Sequence, residues 1–417
     1  MADRQHDFAH DFVVVGGGPV GAVMALGLEA QGHDVALIER NGPVHEGLSE
    51  SEAGPQKTKS LNVDARTVAL SLASRRLLER YDAWPSKRIG AFAHTEVWED
   101  RGTSVLRFGA TDVAQDALGH IAEVRPWLAQ LWQRLERSTV TCVVGRSVTR
   151  VDSDAGGYRL ELSSDAAPED DAEEDTSESV LARMLIAADG ARSVVRRELG
   201  VPMPLTDTGQ SALAFAARVE NQHEHTAFQR FLAEGPLALL PMADTNIVSV
   251  VWSARNDRAD DLAGMSHRQL EKALERASEL RLGRIEEVST AVRFPLLQGV
   301  ISNFCPRPDL VFIGDAARVI HPLAGQGVNL GFEDVRALLE CTGHSPTEGL
   351  KRFARVRRAR SNLAVTAMSA LSAGYANQSP GPLLARNVLT RALGRSEMAR
   401  KALVLEALGL GPVAKAS

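Results

Sequence analysis

The chain begins its apolar patterning with "FVVV", Phe12–Val15, which breaks at a glycine turn and passes into a stripe of helical period reaching about Gln31. A second apolar run, Val35–Ile38, closes on Glu39. The pattern predicts a βαβ opening. Two later runs end in a similar way. "LARMLIAADG" predicts a strand to Ala187 or Ala188 that stops at Asp189–Gly190, before a helix bearing Arg192, Arg196 and Arg197. "DLVFIGDAA" predicts a strand that stops at Gly314–Asp315, followed by a proline- and glycine-rich stretch and a helix beginning near Gln326.

Between these elements the period changes several times. A helix is expected from Asp64, with Val68, Leu72, Leu77 and Leu78 as its core stripe, and another from Arg125 to Arg137. Alternation at His94–Trp98 and Val105–Phe108 predicts two strands that leave to join a second sheet. Ser211–Val219, Leu237–Pro241 and Ile247–Trp252 supply that sheet, with Pro241 marking an edge because proline donates no ladder hydrogen bond. Beside it "SHRQLEKALERASEL" predicts a helix capped by Ser266. Beyond residue 346 the chain reads as helical, with a long helix whose first half is basic.

The glycine turn carries the first chemistry. Gly16, Gly18 and Gly21 fill Gly-x-Gly-x-x-Gly: the first allows the tight turn, the second lets backbone approach a pyrophosphate, and the third lets the helix pack on the strand. The helix N-terminus offers free N–H groups and positive dipole to the phosphates. Glu39 is placed at the next strand end to accept from an adenosine ribose, with Arg40 beside it. An acid there selects NAD or FAD over NADP. Asp189 reads either as a helix cap on a basic surface helix or as a second nucleotide contact. The Gly314–Asp315 element favours the contact. A carboxylate at that strand end can hold the hydroxyls of a polyol, while Pro322, Gly325 and Gly327 clear side chains from backbone that lies against a flat ring. The turn through Gly325, Gln326, Gly327, Val328 and Asn329 would aim a helix N-terminus at negative charge on that ring. One FAD stretched between distant parts of the chain accounts for all three elements.

The expected fold class is therefore α/β: a discontinuous Rossmann-type FAD-binding domain (1–85, 113–205 and 300–345), an inserted β-sheet substrate domain (86–112 and 206–299) and a C-terminal helical region (346–417). A chain of 417 residues with 44% hydrophobic content can bury such a core. Net charge −6 and pI near 6.0 provide no basic footprint for nucleic acid. Cys142, Cys305 and Cys341 are widely spaced and odd in number, which predicts reduced thiols and, with no apolar leader or spanning segment, a cytoplasmic address. The acidic "PEDDAEEDTSES" repels itself and is expected as a solvated insertion, with partner docking the alternative. His223 and His225 are expected in a polar turn and no metal site is assigned.

"DARTVALSLASRRLLERYDAW", "LAQLWQRL", "FLAEGPLALLPM", "SVVWS" and "GDAARVIHPLAGQGVNLGFED" make the chain, from about Asp11 to Leu410, resemble the ubiquinone-biosynthesis hydroxylases within the FAD-dependent aromatic monooxygenases related to p-hydroxybenzoate hydroxylase. The resemblance implies hydroxylation of a lipophilic polyprenylated phenol by way of a flavin C4a-hydroperoxide formed from O2, with NADPH or NADH as a visiting reductant, since no second glycine fingerprint is present. It also carries over Arg125 and Arg66 as flavin contacts, where a helix-surface role is the alternative for each. Arg318 stands where the family usually has histidine, and Val124 where it commonly has asparagine. His321 is expected to orient the flavin loop, and no catalytic acid or base is assigned. A flavin-dependent reductase and a non-catalytic flavoprotein subunit of a biosynthetic assembly remain as alternatives; the Trp-x-Trp-x-Ile-Pro signature of flavin halogenases is absent. The basic helix is either a solvated face or a peripheral contact with anionic lipid.

Overall fold

The computed structural model describes residues 10–42, 61–100, 105–154, 156–164, 178–320, 326–342, 346–376 and 396–411. Its first half runs β1 (His10–Val15), α1 (Pro19–Glu29), β2 (Val35–Glu39), β3 (Thr67–Leu70), α2 (Leu72–Arg80), β4 (Ile89–Phe92), β5 (His94–Glu99), β6 (Leu106–Gly109), β7 (Gly119–Glu123), α3 (Val124–Glu136), β8 (Thr141–Val144), β9 (Arg146–Asp154), β10 (Gly157–Ser164) and β11 (Glu178–Ala187). The second half runs α4 (Val194–Glu198), β12 (Thr206–Val219), β13 (Thr226–Leu232), β14 (Gly235–Pro241), β15 (Ile247–Arg255), α5 (Asn256–Ala263), α6 (His267–Ala277), β16 (Ile285–Val288), β17 (Val292–Val300), β18 (Leu310–Phe312), β19 (Arg318–Val319), α7 (Gln326–Thr342), α8 (Pro346–Ala376) and α9 (Glu397–Ala407).

The apolar runs that lack alternation lie in the first sheet, where both faces are covered. Val13, Val14, Leu37 and Ile186 are fully or almost fully buried there. β2, β1, β11 and β18 run parallel, with Val15 opposite Ala187 and Ala187 opposite Phe312. The early part of β11 pairs with β10 and its last three residues with β18. That change of partner brings the ends of β1, β11 and β18 to one edge although they lie nearly 300 residues apart.

The alternating segments form the second sheet, in the order β19-β17-β12-β15-β14-β13-β5-β6, with β16 beside β12. On β12, Leu213, Phe215, Ala217 and Val219 face a core shared with α5 and α6. The intervening residues turn to the other face, as a period of two requires. Ser266 caps α6 with a full capping box to Gln269. β5 and β6 join this sheet, β5 parallel to β13.

Three expectations are corrected. The helix expected from Asp64 starts only at Leu72, after the Ser71 cap; Thr67–Leu70 is instead a strand of a third sheet, β3-β7-β4. Pairing with β7 and a 2.7 Å bond from Thr67 Oγ1 to Ser249 Oγ outweigh the helical spacing of Val68 and Leu72. β14 lies inside its sheet, so Pro241 marks a strand terminus and not a sheet edge. The helix after Asp189 is short, Arg192 precedes it, and Arg196 is buried, bonding Ala316 O at 2.8 Å and Ala191 O at 2.7 Å. Pro322, Gly325, His321 and most of the acidic insertion lie outside the described residues.

Behind the Gly314–Asp315 turn lies a buried ionic network. Asp334, on α7, accepts from Gly314 N at 3.0 Å, Arg318 Nη1 at 2.5 Å and Arg357 Nε, from α8, at 2.6 Å. Arg357 also bonds Glu333 Oε2 and Leu330 O, each at 3.1 Å. Asp334, Arg318 and Arg357 are all nearly or fully inaccessible to solvent. Arg318 lies over the Phe304 ring at 5.9 Å, and its Nε and Nη2 have no hydrogen-bond acceptor.

His120 on β7 is buried edge-on against Trp84, ring centroids 5.0 Å apart, with Arg75 Nη1 3.3 Å from its Nε2. Burial, then the Arg75 charge, hold its pKa down to about 4. A histidine depressed in the folded state binds its proton more readily when unfolded, so the stability it contributes is complete above about pH 6.5 and is lost as pH falls towards 4. His120→Gln should therefore flatten the acid limb of a plot of Tm against pH within that window. An unchanged limb would remove His120 as a cause of acid sensitivity.

Candidate active site

At the β1 edge the three fingerprint glycines separate by physical role. Gly16 has φ +108°, and a Cβ there would lie 2.4 Å from Ala188 O. A Cβ on Gly21 would lie 1.9 Å from Gly16 O, so this glycine permits close packing of α1 on the turn. Beside Gly18 a Cβ would meet nothing within 4 Å: open space adjoins a helix start that has no side-chain cap. Gly17, not singled out from sequence, is needed as well, since a Cβ would strike the Trp132 ring at 2.4 Å. Glu39 Oε2 accepts from Gly17 N at 2.6 Å and Oε1 from Asn41 N at 2.9 Å, placing the carboxylate beside the glycine turn. Arg40 is exposed next to it. A nucleotide of the expected kind fits this cradle: bare backbone, a helix dipole and an acid at the neighbouring strand end.

At the neighbouring strand end the two carboxylate oxygens of Asp189 differ in their surroundings. Its Oδ2 accepts from Val194 N at 2.7 Å and Val195 N at 3.2 Å, so the capping alternative describes half of the carboxylate. Its Oδ1 is buried with no hydrogen-bond partner. Burial raises the carboxyl's pKa above the usual range. On the next strand, Gly314 takes φ +59° and touches α1 through Val20, whose Cγ1 would lie 3.3 Å from a Cβ there. The start of α1 and the turn after β18 are therefore adjacent.

Asp315 projects into a cavity of about 640 Å³ between the first sheet's edge and the second sheet. No hydrogen bond ties its carboxylate to the described residues. It is open to the cavity, yet enough protein surrounds it that burial pushes its pKa upward, with Arg318 opposing and Asp334 adding to the rise. Arg66 and Asn329 line the same end, and Ala214, Leu240 and Val251 of the second sheet form the facing wall. A Cβ on Gly327 would meet nothing within 4 Å, while the Val328 side chain packs against the main core. The Asn329 side chain accepts from Ser71 N and Ser74 Oγ at 2.9 and 2.7 Å, and donates to Ala69 O at 2.7 Å. It joins the start of α7 to that of α2.

One carboxylate pairs the two arginines carried over by resemblance. Asp64 accepts from Arg66 N through Oδ1 and Arg125 N through Oδ2, each at 2.9 Å. Asp64 is itself positioned by Glu123, whose Oε2 accepts from Asp64 N at 2.9 Å. Arg66 reaches the cavity wall; Arg125 is half-buried just behind Val124, which lines it. Arg318, the departure from the usual histidine, does not line the cavity and belongs to the ionic network behind it.

A family model described as an FAD binding domain matches residues 10–367. The chain is 31% identical over 412 residues to 3-demethoxyubiquinol 3-hydroxylase of Escherichia coli (strain K12), covering 96% of this chain and 98% of the relative. It is 27% identical to ubiquinone hydroxylase UbiL of Rhodospirillum rubrum, covering 97% and 92%. The chain belongs to the FAD-dependent hydroxylase family of ubiquinone biosynthesis. Family membership makes it an FAD-dependent monooxygenase. Among solved structures, p-nitrophenol 4-monooxygenase PnpA from Pseudomonas putida DLL-E4 superposes with a TM-score of 0.72 at 19% identity, covering 97% of this chain and 98% of that one, a likeness of fold.

The residues that position the candidate site but carry no local sequence signal are Asp64, Glu123, Trp132 and Asp334. Asp334 could have been flagged as an acid within an otherwise apolar helical stripe; the others depend on partners far away in sequence. We expect Asp315→Ala to fold with an unchanged far-ultraviolet spectrum and to be recovered colourless, FAD content falling at least about tenfold. Full yellow occupancy would remove Asp315 from holding the cofactor's polyol hydroxyls.

Proposed function

We propose that this hydroxylase acts on the aromatic ring of a polyprenylated phenol of the ubiquinone pathway, with O2 and NADPH or NADH as co-substrates. The observation that carries the proposal is a cavity that joins Asp315 to a largely apolar face of the second sheet. Bound FAD supplies the redox chemistry that takes up reducing equivalents and activates O2.

The chain's own residues supply position and environment. Gly16–Gly18 and the α1 N-terminus would hold the pyrophosphate, Glu39 the adenosine ribose, and Asp189 and Asp315 the middle of the cofactor. The start of α7, with Gly327 and the backbone through Asn329, would offer its positive end to the flavin ring. Arg66 and Arg125 approach from the Asp64 clamp. Ala214, Leu240, Val251 and Phe294 form a dry wall that keeps water from the reacting atoms and offers a phenol its apolar face. Among the described lining residues none is a histidine, lysine or cysteine. In purified FAD-loaded protein, a prenylated phenol should stimulate NADPH or NADH oxidation and yield a ring-hydroxylated product labelled from isotopic O2. Reductant consumption indifferent to the phenol, with no labelled product, would overturn the assignment.

A peripheral membrane contact also belongs to the proposal. Arg307, Lys351, Arg355 and Arg358 line a cleft of about 650 Å³ between the segment before β18 and α8, and its described lining includes no carboxylate. Among the described residues Arg355 and Arg358 have no acidic partner, so they are available to anionic headgroups. No described helix is long and apolar enough to cross a membrane. The protein should co-sediment with vesicles containing phosphatidylglycerol at low salt, and Arg355→Glu/Arg358→Glu should abolish this. Equal binding by the double variant would exclude the cleft.

A further inference from the structure

The cavity has two chemically different ends. Arg66, Ser71, Asp315 and Asn329 gather at the cofactor end. At the other, Phe92, Phe108, Leu118, Val404, Ala407 and Leu408 make a largely apolar lining, with Thr95, cross-strand from Phe108, as the polar side chain beside them. Three of these six come from α9 and the residue after it, close to the end of the chain. Val404 and Leu408 are buried in a cluster with Leu72, Phe108 and Leu118, whereas Ala407 is open towards the cavity.

The apolar end is held at a set position relative to the cofactor end. Leu408 O accepts from Ala73 N at 3.2 Å, in the first turn of α2. Two residues earlier, Ser71 N donates to Asn329 Oδ1 at 2.9 Å. Gly409 takes φ +68°, and a Cβ there would lie 2.8 Å from Ala73 Cβ, so the end of α9 presses directly on α2. One helix start thus braces both the α7 backbone beside the cofactor and the α9 wall.

We infer that Val404, Ala407 and Leu408, with Phe92, Phe108 and Leu118, form a subsite for the first isoprenoid units of the substrate's side chain. The inference rests on the phenol chemistry proposed above. The reacting ring must lie against the cofactor end to be within reach of the transferred oxygen. A ring held there can place an aliphatic substituent at the far end, where apolar surface is buried by contact with hydrocarbon. Helix α9 is then a specificity element that recognises the tail and not the ring.

The test is equilibrium binding to the FAD-loaded protein, read as the change a phenol makes to the flavin absorption spectrum. The probes are a phenol bearing a diprenyl chain and the same phenol without it. The wild-type protein should bind the prenylated compound at least about tenfold more tightly, as discrimination of a hydrocarbon group in an apolar pocket allows. Ala407→Trp, which fills the apolar end, should bring the ratio of the two affinities close to one; if that variant is recovered without FAD, Ala407→Phe is used in its place. No preference in the wild-type protein, or a preference that survives filling, would overturn the subsite. Turnover is read separately. A binding preference without hydroxylation would sink the proposed reaction and leave the subsite, whereas hydroxylation of both phenols without preference would do the reverse.

Discussion

The shared carboxylate of Asp334 is the constraint on which the redox half of the molecule depends. It is fully buried, and it bonds at once to the backbone of Gly314, to Arg318 from β19 and to Arg357 from α8. Taking these charges out of water costs several kcal/mol per ion, and the cost is recovered only where geometry is good and the remaining polar atoms are satisfied. Asp334 and Arg357 meet that condition, with Glu333 and Leu330 O taking the other guanidinium donors. Arg318 does not wholly do so: two of its nitrogens lack acceptors and one face rests on Phe304. What the network achieves is placement. It holds Gly314 in a left-handed conformation and so directs Asp315 outward into the cavity.

A second brace works at the interface between the two large sheets. The N-terminus of α2 meets Asn329 through Ser71 and Ser74, and the end of α9 through Ala73. The small sheet β3-β7-β4 continues from this point, and Thr67 bonds Ser249 on the second sheet. Cavity walls drawn from four distant stretches of chain are thereby referred to one short helix. Asp64 does the same for Arg66 and Arg125, using both oxygens of one carboxylate to fix two backbones.

Much of this architecture was legible because it is local. A buried parallel strand needs continuous apolar residues, a half-buried one needs alternation, and a phosphate cradle needs glycines where a Cβ would collide or obstruct; each is written within a few residues. Gly16 and Gly21 show the point, since the clashes that would exclude a side chain involve the turn itself and the strand beside it. The expected helix from Asp64 failed for the opposite reason. Val68 and Leu72 have helical spacing, but the pairing of Thr67–Leu70 with β7 is a long-range interaction that no window on the sequence contains. Arg196 likewise looks like one of three basic residues on a surface helix, and only the approach of Ala316 shows it to be a buried tie between two strand ends.

By itself, then, the sequence determined the element types, the glycine cradle, the acids that terminate three strands and the presence of a second, alternating sheet, because each follows from backbone sterics or from side-chain period over a short span. Tertiary structure alone decided which carboxylate faces the cavity and which caps a helix, where Arg318 points, and that α9 returns to line the largely apolar end of the pocket. Those outcomes depend on which distant groups meet in space, and burial converts each meeting into a requirement: a charge removed from water must find its partner, and an apolar wall must find another.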